Sequence, residues 1–176
     1  MNLSDKIKST VRNVPDFPKL GINFKDISPI VENPTLSKEI VKDMAKQLVG
    51  KNIDAIVGVE SRGFIYGMPL ALELNVPFVL LRKVGKLPFT TIQYSYDLEY
   101  GSATLEMHVD SIKNDWNVFI HDDLLATGGT AIAAAELVQQ QGGKVAGFGF
   151  IIELAFLEGA KRLEKYSKNI INLATY

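Results

Sequence analysis

Residues 118–130 read Val118-Phe119-Ile120-His121-Asp122-Asp123-Leu124-Leu125-Ala126-Thr127-Gly128-Gly129-Thr130, and the order of residue types in this stretch decides the fold. An apolar run, an acidic pair, a loop of small residues and a helix start follow one another without a gap, as in a buried strand that turns directly into a helix. Gly128 and Gly129 let the backbone come close to a ligand, Thr127 and Thr130 add hydroxyl donors, and the following helix offers unpaired N–H groups and the positive end of its dipole. A phosphate dianion fits against Ala126, Thr127, Gly128, Gly129 and Thr130 without any lysine. Asp122 and Asp123 would repel that phosphate in direct contact, but they suit acceptor roles toward sugar hydroxyls or a magnesium shell. Phosphate plus ribose is therefore the ligand this pattern favours. Neither a Gly-Lys-Ser/Thr ending nor a G-x-G-x-x-G fingerprint is present, which disfavours P-loop hydrolysis and nicotinamide chemistry.

Working outward, residues 53–59, 78–81, 145–152 and 170–173 join 118–120 as short apolar runs of the buried-strand type. Residues 64–74, 130–141 and 157–166 read as helices between them. Leu3, Ile7 and Val11 recur behind Ser4 and Asp5, predicting a short first helix that stops before Pro15, with an irregular connection through Pro18 and Gly21. Asn33-Pro34-Thr35 opens a second helix with the stripe Leu36, Ile40, Met44 and Leu48, ending at Gly50. Residues 93–98 and 103–109 flank Gly101-Ser102 and alternate in polarity, an antiparallel hairpin in which His108 reads as solvated. The alternation of strands and helices predicts an α/β fold, a mostly parallel doubly wound sheet flanked by helices, with an inserted antiparallel hairpin and a small N-terminal hood. Ligands bind at the carboxyl ends of such strands, so loops 60–63, 82–86 and 122–130 are expected to share one edge.

The chain has 176 residues, the length of one domain spanning 1–176. With 47% hydrophobic and 22% charged residues it has the composition of a globular protein rather than a disordered one. A net charge of -1 removes the global basic field of a nucleic-acid binder, so no nucleic-acid partner is expected and any anion site must be local. No apolar run approaches the ~20 residues of a membrane span, and the first residues lack an apolar secretion signal, giving the expectation of a cytoplasmic protein with no membrane partner. The absence of cysteine excludes disulfides and thiol nucleophiles, and two histidines far apart disfavour a zinc cluster. His121 reads as a hydrogen-bonded histidine at a strand end, not as a catalytic base.

Residues 118–130 resemble the phosphoribosyl pyrophosphate (PRPP) motif of type I phosphoribosyltransferases, in the form found in adenine phosphoribosyltransferases. Asn23-Phe24-Lys25-Asp26-Ile27-Ser28-Pro29, Glu60-Ser61-Arg62-Gly63-Phe64, Arg82-Lys83 with Gly85-Lys86-Leu87-Pro88, and Tyr96-Asp97-Leu98-Glu99-Tyr100-Gly101 resemble the same family in the same order, so the likeness covers nearly the whole chain. Val84, Phe89 and His121 depart from its usual pattern. The resemblance implies a transferase of purine salvage that moves the phosphoribosyl group of PRPP to adenine, giving AMP and pyrophosphate. It implies Mg2+ bound mainly through PRPP and pyrophosphate with no dedicated protein metal ligand, and a homodimer. It gives Glu99 and Tyr100 catalytic roles, and Phe24, Lys25 and Leu124 contact with adenine, under a hood of residues 1–34. Ser61 and Arg62 would meet pyrophosphate, with Arg82, Lys83 and Lys86 adding positive charge. Residues 83–102 would form a mobile loop and hairpin, of which 83–94 read as a cover, and the Glu60–Ser61 peptide is expected to be cis. The alternatives are a transferase for guanine or xanthine, and a PRPP-sensing module without turnover.

Overall fold

The computed structural model of the chain describes residues 1–98 and 101–176. Helix α1 (Leu3–Thr10) starts at Asn2, whose side chain accepts from the Asp5 N–H at 2.8 Å. Two four-residue strands, β1 (Arg12–Pro15) and β2 (Asn23–Asp26), then pair antiparallel, and α2 (Ser28–Val31) follows. The sequence predicts only an irregular connection there. Strands this short carry too few side chains for an alternation to be legible, and their pairing, not local propensity, makes them. Helix α3 (Pro34–Leu48) has Pro34 in its first turn, is capped by the Asn33 side chain, and buries Leu36, Ile40, Met44 and Leu48, the predicted stripe.

The remaining elements are β3 (Ala55–Val59), α4 (Gly63–Leu74), β4 (Phe78–Lys83), β5 (Thr91–Leu98), β6 (Gly101–His108), β7 (Asn117–Leu125), α5 (Gly129–Gln140), β8 (Lys144–Glu153), α6 (Gly159–Leu163) and β9 (Ile170–Thr175). They build one seven-stranded sheet in the order β5-β6-β4-β3-β7-β8-β9. Strands β4, β3, β7, β8 and β9 are parallel, and the β5–β6 hairpin adds antiparallel to the β4 edge. Successive side chains of β3 and β7 enter opposite cores: Val57 and Ile120 pack with Leu137 and Val138 of α5, whereas Ile56 and Phe119 pack with Ile7, Ile40 and Leu70 of α1, α3 and α4. The helices thus cover both faces, as parallel sheets require.

Several expectations change, among them the Gly101-Ser102 turn, because both residues belong to β6 and pair with Leu98 and Asp97. Strand β7 does not end at Ile120. It runs through the acidic pair to Leu125, because β8 supplies a parallel ladder as far as Leu125 opposite Glu153. The helix predicted over 157–166 is a 3₁₀ turn, Ala155–Leu157, followed by the short α6. Of the expected cover, residues 91–94 are strand, paired with β6 from Thr91 opposite His108 onward. The ladder supplies backbone bonds that the side-chain pattern does not reveal. His108 itself is not simply solvated, since its Nε2 lies 2.6 Å from the Pro88 carbonyl oxygen.

His121 is fully buried and neither ring nitrogen has a hydrogen-bond partner, which corrects the expectation of a satisfied histidine. Burial pushes its pKa down to about 4; the negative charge of Asp123 opposes the shift, as does the Gly149 backbone, which does not meet hydrogen-bond geometry. A folded value below the ordinary 6.5 means that the associated stability is complete above about pH 6.5 and is lost as the pH falls toward about 4, by up to about 3 kcal/mol. His121→Leu is expected to flatten that acid limb and to exceed the wild type in stability at pH 5. Urea unfolding at pH 7 and pH 5 measures it, and an equal acid loss in both proteins contradicts the account.

Candidate active site

Strands β3 and β7 lie side by side and parallel, and the chain leaves β3 toward β4 on one side before returning to β7 on the other. Loops at such a reversal diverge and leave a crevice beyond the carboxyl ends of the two strands. Out of β3 come Glu60, Ser61 and Arg62, with a cis Glu60–Ser61 peptide, and α4 starts immediately. Gly63 permits this start: a Cβ there would lie 2.8 Å from the His121 carbonyl oxygen and 3.2 Å from Asp122 Oδ1. The close approach of α4 to β7 brings Arg62 to the acidic pair, where its Nε donates to Asp123 Oδ2 at 2.7 Å. Asp123 is buried, with its side chain 3% exposed, whereas the Arg62 side chain is 48% exposed and makes no other hydrogen bond among the described residues. Its remaining N–H groups are available to an anion.

Asp122 Oδ1 accepts from the Asp123 N–H at 2.8 Å. Burial, and next the negative charge of Asp123, raise the Asp122 carboxyl well above its ordinary range, with Arg62 only partly opposing. The two adjacent acids therefore differ: Asp123 holds a guanidinium, while Asp122 resists ionisation. Both border a hollow of about 370 Å³ together with Ser61, Arg62, Lys83, Leu124 and Thr130. A smaller hollow of about 80 Å³ adjoins it, formed by Ala126, Thr127, Gly128, Gly129 and Thr130. Gly128 has φ +82°, and a Cβ on it would come within 3.1 Å of the Gly159 carbonyl oxygen, so this bend belongs to glycine. Arg162 of α6 braces the same loop from behind, donating Nη1–H to the Thr127 carbonyl at 2.7 Å. The Tyr96 hydroxyl of β5 meets Thr130 Oγ1 at 3.1 Å and ties the hairpin to the start of α5.

The loop after β4 is arranged differently from the expectation for its cations. Arg82 donates Nε–H to Glu60 Oε2 at 3.0 Å and Nη1–H to the Lys86 carbonyl at 3.0 Å, so its guanidinium braces the loop. Lys83 and Lys86 are exposed, and Lys83 borders the larger hollow. In the hood, the Phe24 ring lies 5.4 Å from Arg62 Cζ and meets the Phe17 ring edge-on at 5.2 Å. Lys25 follows the alternation of β2 to the other side, where Nζ donates to Asn13 Oδ1 at 2.5 Å and lies 4.3 Å over the Tyr176 ring. Glu99 and Tyr100 lie outside the described residues. Glu60, Tyr96 and Arg162 are the contributors that the sequence reading does not single out; the first two stand inside its motifs, and nothing in the sequence marks Arg162. The assembled crevice suits a ligand with two separated anionic groups and hydroxyls between them. A larger concavity of about 590 Å³ between α3 and α4, bordered by Val41, Ile65 and Leu72, lies apart from these groups.

Residues 29–174 match the model of the phosphoribosyl transferase domain. The chain is 52% identical over 165 residues to the adenine phosphoribosyltransferase of Haemophilus ducreyi, covering 94% of this chain and 92% of that one. The chain belongs to the adenine phosphoribosyltransferase family. The crystal structure of adenine phosphoribosyltransferase from Thermoanaerobacter pseudethanolicus has a TM-score of 0.95 at 46% identity, covering 99% of this chain and 100% of that one. The Saccharomyces cerevisiae adenine phosphoribosyltransferase, complexed with an imino-altritol bisphosphate and adenine, has a TM-score of 0.89 at 39% identity over 97% of this chain and 98% of that one. The type I phosphoribosyltransferase fold is shared with these structures throughout.

The unequal acids of this phosphoribosyltransferase-family site yield a stability prediction. A carboxyl whose folded pKa is raised leaves the protein most stable below the ordinary carboxyl range, and that stability is lost as the pH rises toward the folded value. Asp122→Asn keeps an acceptor for the Asp123 N–H and removes the ionisation, so its melting temperature is expected to gain on the wild type as the pH rises from 4 to 8. Asp123→Asn loses its charge-assisted bond to Arg62 and is expected to melt below the wild type at neutral pH. Calorimetry across that range checks both, and Asp122→Asn melting lower than Asp123→Asn at neutral pH contradicts the electrostatic assignment.

Proposed function

We propose that the chain transfers the phosphoribosyl group of PRPP to adenine, giving AMP and pyrophosphate, and so serves purine salvage. The observation that carries this reading is the crevice between β3 and β7, where a lysine-free phosphate cradle, an acidic pair and a half-exposed guanidinium converge. The 5-phosphate sits on Ala126, Thr127, Gly128, Gly129 and Thr130, and Asp122 and Asp123 accept from the ribose hydroxyls. Arg62 with the Ser61 backbone takes the pyrophosphate, helped by Lys83 and Lys86, while Arg82 acts through the loop it braces. Adenine stacks on Phe24 beside Leu124, with the Lys25 backbone at its edge. An adenine nitrogen attacks C1 as the bond from C1 to the pyrophosphate oxygen breaks, and Glu99, next to Tyr100, receives the proton released by the base.

Magnesium bound with PRPP would neutralise charge on the pyrophosphate leaving group. Among the described residues no group of three or more His, Asp or Glu could hold a metal by itself. With Asp123 engaged by Arg62 and Asp122 disfavoured as an anion, the donor set fits an ion held mainly by substrate oxygens, with these carboxyls as its nearest protein acceptors. A homodimer and a cytoplasmic setting belong to the same proposal. Exposed Ile65, Met68 and Leu72 form one face of α4 beside Val31, which supports an interface there, and sedimentation equilibrium measures it. No described helix is long and apolar enough to cross a membrane.

Pyrophosphate release with PRPP and magnesium, compared for adenine, guanine, hypoxanthine and xanthine, tests the function. Adenine is expected to be turned over in strong preference, and Glu99→Leu to lower kcat at least about a hundredfold with PRPP binding held within a few-fold. Preference for a 6-oxo base overturns the choice of substrate, and PRPP binding without turnover on any base overturns the enzyme reading.

A further inference from the structure

Strand β6 alternates apolar Ala103, Leu105 and Met107 with polar residues, a pattern that directs Glu106 toward solvent. Glu106 is nevertheless 2% exposed. Its strand is not an edge: β4 pairs on one side with Arg82 opposite Glu106, β5 on the other with Gln93 opposite it, and the loop between β4 and β5 folds over the carboxylate. Glu106 Oε1 accepts from the N–H groups of Lys86 and Leu87, both at 2.8 Å, and Oε2 accepts from the Thr91 hydroxyl at 3.2 Å. It takes part in no ion pair among the described residues, so backbone dipoles and one hydroxyl carry all its stabilisation. Burial alone raises its pKa, but the N–H groups of Leu87, Lys86 and Gly85 and the Thr91 hydroxyl more than offset it and leave the carboxyl below its ordinary range.

A buried charge satisfied chiefly by the backbone of a loop fixes the shape of that loop, because opening it would leave the charge with only the Thr91 hydroxyl. The other end of the segment is held by a second carboxylate, as Glu60 Oε2 accepts from the Lys83 N–H at 3.1 Å and from Arg82 Nε. Two carboxylates thus hold the backbone of the loop from behind and leave the Lys83 and Lys86 side chains exposed on it.

We propose that Glu106 is a positioning residue for the leaving group: by gathering the Lys86 and Leu87 N–H groups it presets the basic segment from Lys83 to Lys86 in the form that receives pyrophosphate. The inference rests on the phosphoribosyl-transfer reading and adds to it a residue that does not touch substrate. A preset loop needs no ordering when the anion arrives, so the benefit falls on affinity for the pyrophosphate-bearing substrates and not on the base.

The test uses Glu106→Ala and Glu106→Gln in the full chain, with steady-state kinetics in both directions and amide hydrogen exchange at Lys86 and Leu87. Exchange reads the loop whether or not the enzyme turns over, so failure of this proposal is distinguishable from failure of the functional reading. Glu106→Ala is expected to raise KM for PRPP and for pyrophosphate at least about tenfold, with KM for adenine and kcat within about threefold, and to speed exchange at both amides. Glu106→Gln keeps an oxygen for the two N–H groups and can donate to Thr91, so it is expected to recover most of both losses. Unchanged exchange in Glu106→Ala overturns the proposal. So does faster exchange with unchanged KM for pyrophosphate, or a fall in kcat with every KM unchanged.

Discussion

The parallel ladder between β3 and β7, from Ala55 opposite Val118 to Gly58 opposite His121, is the constraint on which the chemistry depends. It sets the carboxyl ends of two buried strands side by side at the point where the chain reverses its direction of travel across the sheet. The loop after β3 and the acidic end of β7 then have no separate choice of position. Gly63 converts that proximity into contact, because only a residue without a side chain lets α4 begin against the backbone of His121 and Asp122. The Arg62–Asp123 ion pair is the result, and it connects the hood, through Phe24, to the edge of the sheet.

Charge around the crevice is arranged so that the hollow at 126–130 is lined without a lysine or arginine. The start of α5 presents N–H groups at Gly129 and Thr130, and the surrounding supports, Arg162 behind Thr127 and Tyr96 over Thr130, hold the loop without occupying it. Cations border the larger hollow instead, at Arg62 and Lys83. A ligand with one compact phosphate and one more highly charged group is oriented by this asymmetry. Between the two ends, the unlike environments of Asp122 and Asp123 separate one acid suited to ion pairing from one that keeps its proton more readily.

Much of this was legible in the residues because the site is built from contiguous motifs. The loop at 126–130 is a local strand-to-helix turn, so glycines, threonines and an apolar run sufficed to place it. The layered α/β fold followed from helix and strand periods in the central elements. What sequence periodicity did not reveal depends on pairing across the chain. Strands β1 and β2 are made by each other, β7 is lengthened by β8, and the polar residue Glu106 is buried because a loop covers it. His121 departs from the sequence expectation for the opposite reason: packing from α4 and β8 surrounds it without offering its nitrogens a partner. Arg82 had the charge of an anion ligand, and only the positions of Glu60 and the Lys86 carbonyl reveal that its guanidinium works within the protein.

One ligand is expected to span the hollow at 126–130 and the loops after β3 and β4. Backbone amide shifts in the ¹⁵N-labelled protein, followed while PRPP and magnesium are added without any base, test it most directly. Large shifts are expected at Thr127, Gly128, Gly129 and Thr130, at Arg62 and Gly63, and at Lys83 and Lys86, all saturating with a single affinity. Shifts confined to the groove between α3 and α4, or a cradle that stays unperturbed while PRPP binds, would contradict it.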